Sequence, residues 1–345
     1  MSYDLLCIGN ALVDIFAEAD EETANRHGIE ELVQHIEIEK IHCFLDELKI
    51  APKADDITVV SGGGAANVAK IAGLLGAKTL FTGAIGKDDN TGNFGHIFKK
   101  DLESAGVKLR LSLKPSPTGL CLYLKIADET RIAASPSAAL ELSENDIFED
   151  DFKKVKAVVI DGYMLGRKTI IKYILYLTKQ YGIPAAIDIG SAFIAKKHGA
   201  DILEYARGYS LILFMNEEEA LCGEWGLTTL EWSESCRLRG LDRICSFFCS
   251  FTKGKDFPVI VVKLGAAGAV CFAGGEMYRA EAEAVVKAET TGAGDAFCAG
   301  FLTAFVQGKH SAECTALGNN TARLVLNTAG TQAAALTGLH VQHNA

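Results

Sequence analysis

The sequence predicts an α/β protein: a doubly wound, mainly parallel sheet with a small lid built from insertions. Two observations predict it. Short apolar runs, each bounded by Asp, Gly or Asn, recur with helical patterns between them, the alternation that parallel strands with right-handed crossovers require. The chain also has 345 residues of which 49% are hydrophobic, ample for one domain over residues 1–345 with a smaller appendage.

Leu5–Gly9 reads as a buried first strand that runs on into Asn10-Ala11-Leu12-Val13-Asp14. Asp14 is therefore expected just beyond a strand's carboxyl end, where open α/β sheets place ligands. A polar stretch from about Ala19 to Asp56, with a helical patch at Ile38–Leu48, interrupts the core pattern and reads as an insertion, so a first lid segment is set at about 15–58. Ser61-Gly62-Gly63-Gly64-Ala65-Ala66-Asn67 then enters a helix, Val68–Leu75, closed by Gly76. Three consecutive glycines are costly in backbone entropy, and a turn alone needs only one or two. Close approach of a ligand, or tight helix–sheet packing, accounts for the third.

Thr79–Ile85 is a strand and Asn93–Ala105 an amphipathic helix. Leu109–Leu113 and Thr118–Ile126 read as a second pair of lid strands, and Glu129-Thr130-Arg131 as a turn into Ile132–Ala134, which gives a second lid segment at about 108–134. Val155–Ile160, Ala185–Ile189, Ser210–Met215 and Val259–Leu264 are four further strands, separated by helices such as Thr169–Tyr181. Asp161, Asp188, Asn216 and Lys263 stand at their ends, as a crevice along the carboxyl edge of a sheet requires. Each alone is weak, because Asp and Asn also close strands as turn residues. Cys222–Asp256, with Trp225, Trp232 and the basic residues Arg237, Arg239 and Arg243, reads as helical with a surface role.

Lys plus Arg is 34 and Asp plus Glu is 44, a net charge of −10, so sequence-independent nucleic-acid binding is disfavoured. Ten cysteines are scattered without a CxxC pair and read as reduced thiols of a cytoplasmic protein. Cys245 and Cys249 lie four apart with no His at ligand spacing, which argues against zinc. No apolar run reaches the ~18 residues of a membrane span.

Glu289-Thr290-Thr291-Gly292-Ala293-Gly294-Asp295 opens the apolar run Ala296–Leu302. A glycine-rich turn opening a helix offers unpaired N–H groups and the positive end of the dipole to a phosphate. Asp295 is the odd member, since a carboxylate repels an anion. Either it is an N-terminal acid stabilising the helix dipole, or it takes a proton from whatever attacks the phosphate. Walker A is absent, and Gly292-Ala293-Gly294 lacks the third glycine of GxGxxG, so a nicotinamide dehydrogenase is disfavoured. There is no GxSxG elbow and no HExxH. Phosphoryl transfer needs an anion cradle, positive charge and a base, and Gly292–Gly294, Asp295, Arg131, Lys263 and a divalent metal are the candidates.

These motifs resemble the PfkB family, the ribokinase and adenosine kinase group. Thr290–Asp295 with Ala299-Gly300-Phe301-Leu302 is similar to its C-terminal signature, and Ser61–Asn67 with Gly83-Ala84-Ile85-Gly86 to its N-terminal one. Asn216-Glu217-Glu218-Glu219 and Lys263-Leu264-Gly265-Ala266-Ala267-Gly268 match two further motifs, in order along nearly the whole chain. The resemblance implies a ribokinase-like fold and an ATP- and Mg2+-dependent kinase acting on an alcohol. It makes Asp295 the base and Gly292, Ala293 and Gly294 the anion hole. It assigns Asp14, Gly63, Gly64 and Asn67 to the acceptor's hydroxyls, and Asn216 and Glu219 to Mg–ATP through waters. Lys263, Gly265, Gly268 and Asn320 would line the nucleotide slot, and Arg131 would reach the transferring phosphate from the lid.

Glu289 stands where the family usually has Asp at a monovalent-cation site, which weakens the case for K+. Ser135-Pro136-Ser137-Ala138 also departs from the Gly-Ala-Asn-type turn of sugar kinases. The Gly-Asn-x-x-x-Asp opening and the long insertion before Gly62 resemble the adenosine-kinase-like branch. A sugar or sugar-like acceptor is the first expectation and a ribonucleoside the alternative, with Phe16 and Tyr163 as platforms for a base. A non-catalytic sugar- or nucleotide-binding regulator is the remote one, since a binder needs no base. The expected partners are small molecules and ATP, not nucleic acid or membrane, in a monomer or homodimer.

Overall fold

Leu5 and Cys7 face one way from the first strand and Leu6 and Ile8 the other, and all four are buried. A strand buried on both faces belongs inside a sheet covered on both sides. The computed structural model describes residues 2–48, 59–87, 92–223, 225, 234–283 and 292–326, and for 234–241 the backbone course alone.

The first half of the chain contains β1 (Leu5–Ile8), β2 (Leu12–Glu18), α1 (Glu21–Arg26), β3 (Val33–His35), α2 (Ile38–Glu47), β4 (Val59–Gly62) and α3 (Gly64–Leu74). It continues through β5 (Thr79–Gly86), α4 (Phe94–Ser104), β6 (Lys108–Lys114), β7 (Gly119–Ile126), β8 (Glu129–Ser135) and α5 (Glu149–Phe152). Next come β9 (Ala157–Asp161), α6 (Lys168–Tyr181), β10 (Ala185–Asp188), α7 (Ala192–Gly208), β11 (Leu211–Asn216), α8 (Glu217–Cys222) and α9 (Glu234–Thr252). The remainder is β12 (Val259–Lys263), β13 (Ala269–Ala273), β14 (Glu276–Ala280), α10 (Ala293–Val306) and α11 (Ser311–Leu326).

Nine strands form the larger sheet in the order β14-β13-β12-β11-β10-β9-β1-β5-β6. From β12 to β6 all are parallel, and β13 and β14 add an antiparallel edge. The strand order reverses direction beside β1, a switch point of the kind that opens a crevice at the carboxyl edge. On one face pack α3, α4, α10 and α11, on the other α5 to α9. Helix α10 is apolar nearly all round, as a buried helix must be. Gly294 and Gly300 interrupt it at about 1 kcal/mol each relative to Ala. Burying Phe297, Phe301 and Leu302 returns roughly 1.5–3 kcal/mol apiece, so packing decides.

A second, five-stranded sheet has the order β3-β8-β7-β2-β4. Period-2 alternation gives it two unlike faces. Val13, Ile15, Leu120, Leu122 and Leu124 are buried in the core that lies on the α3 side of the larger sheet. Asp14, Phe16, Cys121 and Tyr123 occupy the opposite face, because Asp14 is registered with Cys121 and Phe16 with Tyr123. The chain crosses between sheets at Gly9-Asn10-Ala11. There the Asn10 N–H donates to Asp161 Oδ2 at 3.4 Å, and Asn10 Oδ1 accepts from Arg167 at 3.1 Å. Arg167 also donates to the Ala139 carbonyl at 2.8 Å, so one guanidinium ties the first crossing to the segment after β8.

Several expectations need correcting. Asp14 lies within β2 rather than in a loop beyond β1, because the chain re-enters a strand after only three residues. The helix after the glycines begins at Gly64, not Val68, and Ser61 and Gly62 belong to β4. Of the expected second lid pair only β7 joins the smaller sheet, while β6 pairs with β5 at the edge of the larger one. Glu129-Thr130-Arg131 opens β8 instead of forming a turn. Trp225 is buried against Phe248 and donates to the Ala220 carbonyl at 2.7 Å, so it is core rather than surface. Trp232 and the side chains of Arg237 and Arg239 lie outside the described residues. Among the described residues no helix is long and apolar enough to cross a membrane.

Candidate functional site

Asp161, Asp188, Asn216 and Lys263 are the last residues of β9, β10, β11 and β12. Asp188 is registered with Asp161, and Asn216 with Lys263, so the four line one edge. Over that edge stands the amino end of α10. Gly292 caps it with φ of 79°, a left-handed conformation that glycine adopts without strain, and no side chain caps the helix. The N–H groups of its first turn have no carbonyl partner inside the helix.

A cavity of about 650 Å³ opens between this turn, the strand ends and α11, lined by Asn216, Glu219, Lys263, Gly265, Gly268, Gly292, Ala293, Gly294 and Asp295. Gly294 lies close to Lys263, since a methyl there would stand 3.2 Å from its Nζ. Lys263 donates to both oxygens of Asp188 at 2.8 and 2.9 Å. Burial opposes its charge, but Asp188, with Cys298 and Glu219, outweighs that and holds the ammonium above the usual lysine range. Asn216 and Glu219 form a reciprocal cap on α8. The Glu219 N–H donates to Asn216 Oδ1 at 2.8 Å, and the Asn216 N–H to Glu219 Oε2 at 2.8 Å. Burial, then the charge of Asp188, pushes Glu219 up to about 7.

Asp295 sits in the first turn of α10, where Asn67 Nδ2 donates to its Oδ2 at 2.8 Å. Burial pushes its carboxyl up to about 7, Asp188 adds to this, and Asn67 and Lys263 oppose it. Two of the three glycines at the start of α3 are required by the protein's own atoms, and the third leaves room for a methyl. A methyl on Gly62 would overlap the Asp14 carboxylate, and Gly63, at φ 96°, lies against the Asn10 carbonyl. A methyl on Gly64 would stand 3.5 Å from Asp295 Oδ1 and 3.9 Å from Asp161 Oδ1. Asp14, also pushed up to about 7 by burial and then by Asp295, is partly offset by Lys70. Lys70 donates at 2.7 Å to Asp101, whose same oxygen accepts from the Ser61 N–H at 2.9 Å. That buried group ties the glycine segment to α4. Phe16 stacks on Tyr123 with centroids 4.9 Å apart and planes 15° from parallel. Tyr163 is half-exposed, and its hydroxyl donates to the Gly190 carbonyl at 3.3 Å.

The structure thus brings together Asp14, Gly63, Gly64, Asn67 and Asp295 on one side, and Gly292–Gly294, Asn216, Glu219, Lys263, Gly265 and Gly268 on the other. It does not bring Arg131. Leu124 is registered with Arg131, which places the arginine on the leucine face of the smaller sheet, opposite Asp14. Its guanidinium donates to Glu21 at 2.6 Å, Glu129 at 3.1 Å and the Ile29 carbonyl at 2.8 Å. Asn320 is exposed on α11, and it is Asn319, with Ala322, Arg323 and Leu326, that faces the cavity at helical spacing. Glu289 lies outside the described residues. Tyr123, Asp101 and Arg167 escaped the sequence reading. For Tyr123 the signal was there, because it shares strand parity with Cys121 across from Asp14.

The family model described as pfkB family carbohydrate kinase matches residues 29–337. Adenosine kinase 1 of Arabidopsis thaliana is 26% identical over 94% of this chain and 94% of its own. The crystal structure of adenosine kinase from Sinorhizobium meliloti superposes with a TM-score of 0.81 at 26% identity, covering 99% of this chain and 100% of that one. A probable sugar kinase from Rhizobium etli gives 0.80 at 25% identity, covering 100% and 99%.

Proposed function

The chain belongs to the pfkB family of carbohydrate kinases and is an ATP-dependent kinase, and from that premise we propose that it phosphorylates a hydroxyl of a sugar or sugar-like acceptor. The observation that carries this reading is the place of Asp295. It is a partly buried carboxylate inside a helix turn suited to an anion, hydrogen-bonded to Asn67 of the glycine segment. A carboxylate there is wasteful for holding a phosphate and useful for deprotonating what attacks it.

Asp295 accepts the acceptor's proton as its oxygen attacks the γ-phosphorus, and the first-turn N–H groups at Gly292, Ala293 and Gly294 stabilise the charge on the transferring group. A carboxyl near 7 is half ionised at neutral pH, which suits a group that must take and release a proton. Asp14 accepts hydrogen bonds from the acceptor's hydroxyls, with Gly63, Gly64 and Asn67 completing the pocket beneath the smaller sheet, which serves as a lid. Lys263, Gly265, Gly268 and Asn319 line the nucleotide side. Oxygen atoms at Asn216 and Glu219 fit a hydrated Mg2+, which they would hold through water as the family resemblance implies. Mg2+ when bound neutralises charge on the phosphate oxygens.

A ribonucleoside is the second reading. The Phe16–Tyr123 stack on the Asp14 face favours it, since a planar base adds to such a pair. An ADP-release screen with Mg–ATP over pentoses, hexoses, keto-deoxy sugar acids and ribonucleosides separates the two. The first reading expects the best sugar to exceed every nucleoside in kcat/KM, and the reverse order establishes the second. Activity on neither class, with ATP still bound, would leave a non-catalytic binder.

A further inference from the structure

Resting on the kinase reading above, we infer that Lys263, not Arg131, is the side-chain cation that meets the transferring phosphoryl group. The sequence offered both. Arg131 is committed to two carboxylates and a carbonyl on the far face of the smaller sheet. Lys263 ends β12 on the cavity floor, and its ammonium lies beside Gly294 in the first turn of α10, whose N–H groups have no acceptor inside the helix.

Setting an ammonium beside the positive end of a helix is unfavourable in itself. Asp188 offsets that repulsion, yet an apolar pair of similar volume would remove it altogether and is often as stable. The arrangement acquires a use when an anion enters, because the N–H groups and the ammonium then converge on it from two sides. The other cation lining the cavity among the described residues, Arg323, belongs to α11 and pairs with Glu283 at 3.3 Å. In the step itself the acceptor oxygen forms a bond to the γ-phosphorus. The bond from that phosphorus to the β–γ bridging oxygen breaks, and the electron pair leaves with ADP. The acceptor's proton goes to Asp295. Lys263 stays protonated throughout, donating to the non-bridging oxygens, and Asp188 keeps it so.

A structural ion pair makes a different prediction from a phosphate contact, and a double-variant cycle separates them. Lys263→Met, Lys263→Arg, Asp188→Asn and the double variant Asp188→Asn/Lys263→Met are compared for kcat, for ATP Kd by calorimetry, and for melting temperature. Lys263→Met is expected to lower kcat about 10²–10³-fold while ATP Kd changes far less, with Lys263→Arg intermediate. The double variant, with no charge left unpaired, is expected to regain the melting temperature that Lys263→Met loses and to stay as slow. Recovery of kcat in the double variant to near the wild-type value would overturn the inference and leave the kinase reading standing. If the wild-type protein transfers phosphate to no acceptor, the reading beneath fails and the inference goes with it.

Discussion

Replacing Asn67 by leucine, a side chain of similar shape, removes a hydrogen bond that favours the ionised form of Asp295. The amide Nδ2 donates at 2.8 Å, while its buried Oδ1 has no partner among the described residues, so loss of the amide leaves no new orphan there. A hydrogen bond to a charged group is worth roughly 1.5–3 kcal/mol. At about 1.4 kcal/mol per pKa unit that is a rise of roughly one to two units, from about 7 to about 8–9. The base must be ionised to act, so the rise lowers activity at neutral pH and moves it to higher pH. At pH 7 the ionised fraction drops from about a half to between about a tenth and a hundredth, and kcat/KM for the acceptor falls about 5- to 50-fold. The assay is kcat/KM against pH from about 5.5 to 9.5. The acidic limb is expected to shift upward by one to two units, on top of a pH-independent loss from the missing acceptor contact. An acidic limb left where it stands in the wild type would refute the reasoning and leave Asn67 as an acceptor contact alone.

Linkage gives a second prediction. Asp14 has a folded value near 7 against 3.8 for the unfolded carboxyl, so the stability its protonated form contributes is present below about 4 and is lost as pH rises through 7. Asp14→Asn is therefore expected to raise the melting temperature at pH 8, by an amount equivalent to ~2–4 kcal/mol, and to leave it unchanged at pH 4. Equal effects at the two pH values would contradict the shift. Arg131→Met is expected to lower the melting temperature, by removing the anchor between β8 and α1, and to keep kcat within about threefold of wild type. A collapse in kcat with the melting temperature intact would return Arg131 to the phosphate.

Much of the larger sheet was legible because several strands are short apolar runs closed by a polar residue, and Asp161, Asp188, Asn216 and Lys263 fell at strand ends as expected. What failed did so for reasons of parity and phase. Lys108–Lys114 alternates polar and apolar residues equally well for an edge strand of the large sheet or for a lid strand, since each has one exposed face. Arg131 lies on the wrong face by a single residue, and local sequence does not carry strand register. Asn319 and Asn320 differ by about 100° around α11, and two adjacent asparagines give no clue to which one faces in. The triple glycine was read as close approach of a ligand or as tight packing, and at Gly62 and Gly63 it is the protein's own Asp14 carboxylate and Asn10 carbonyl that leave no room for a methyl. Asp101 and Lys70 act from beneath the site at long sequence separation, where a linear reading has no hold.

A single-turnover measurement on Asp295→Asn, with ATP binding followed in the same sample, tests whether Asp295 is the base. The substitution keeps the size of the side chain and a hydrogen-bonding amide beside Asn67 while abolishing the proton acceptor. Phosphoryl transfer is expected to slow by roughly 10²–10⁴-fold with ATP affinity nearly unchanged. Transfer at close to the wild-type rate would contradict it and reduce Asp295 to an acidic residue stabilising the end of α10.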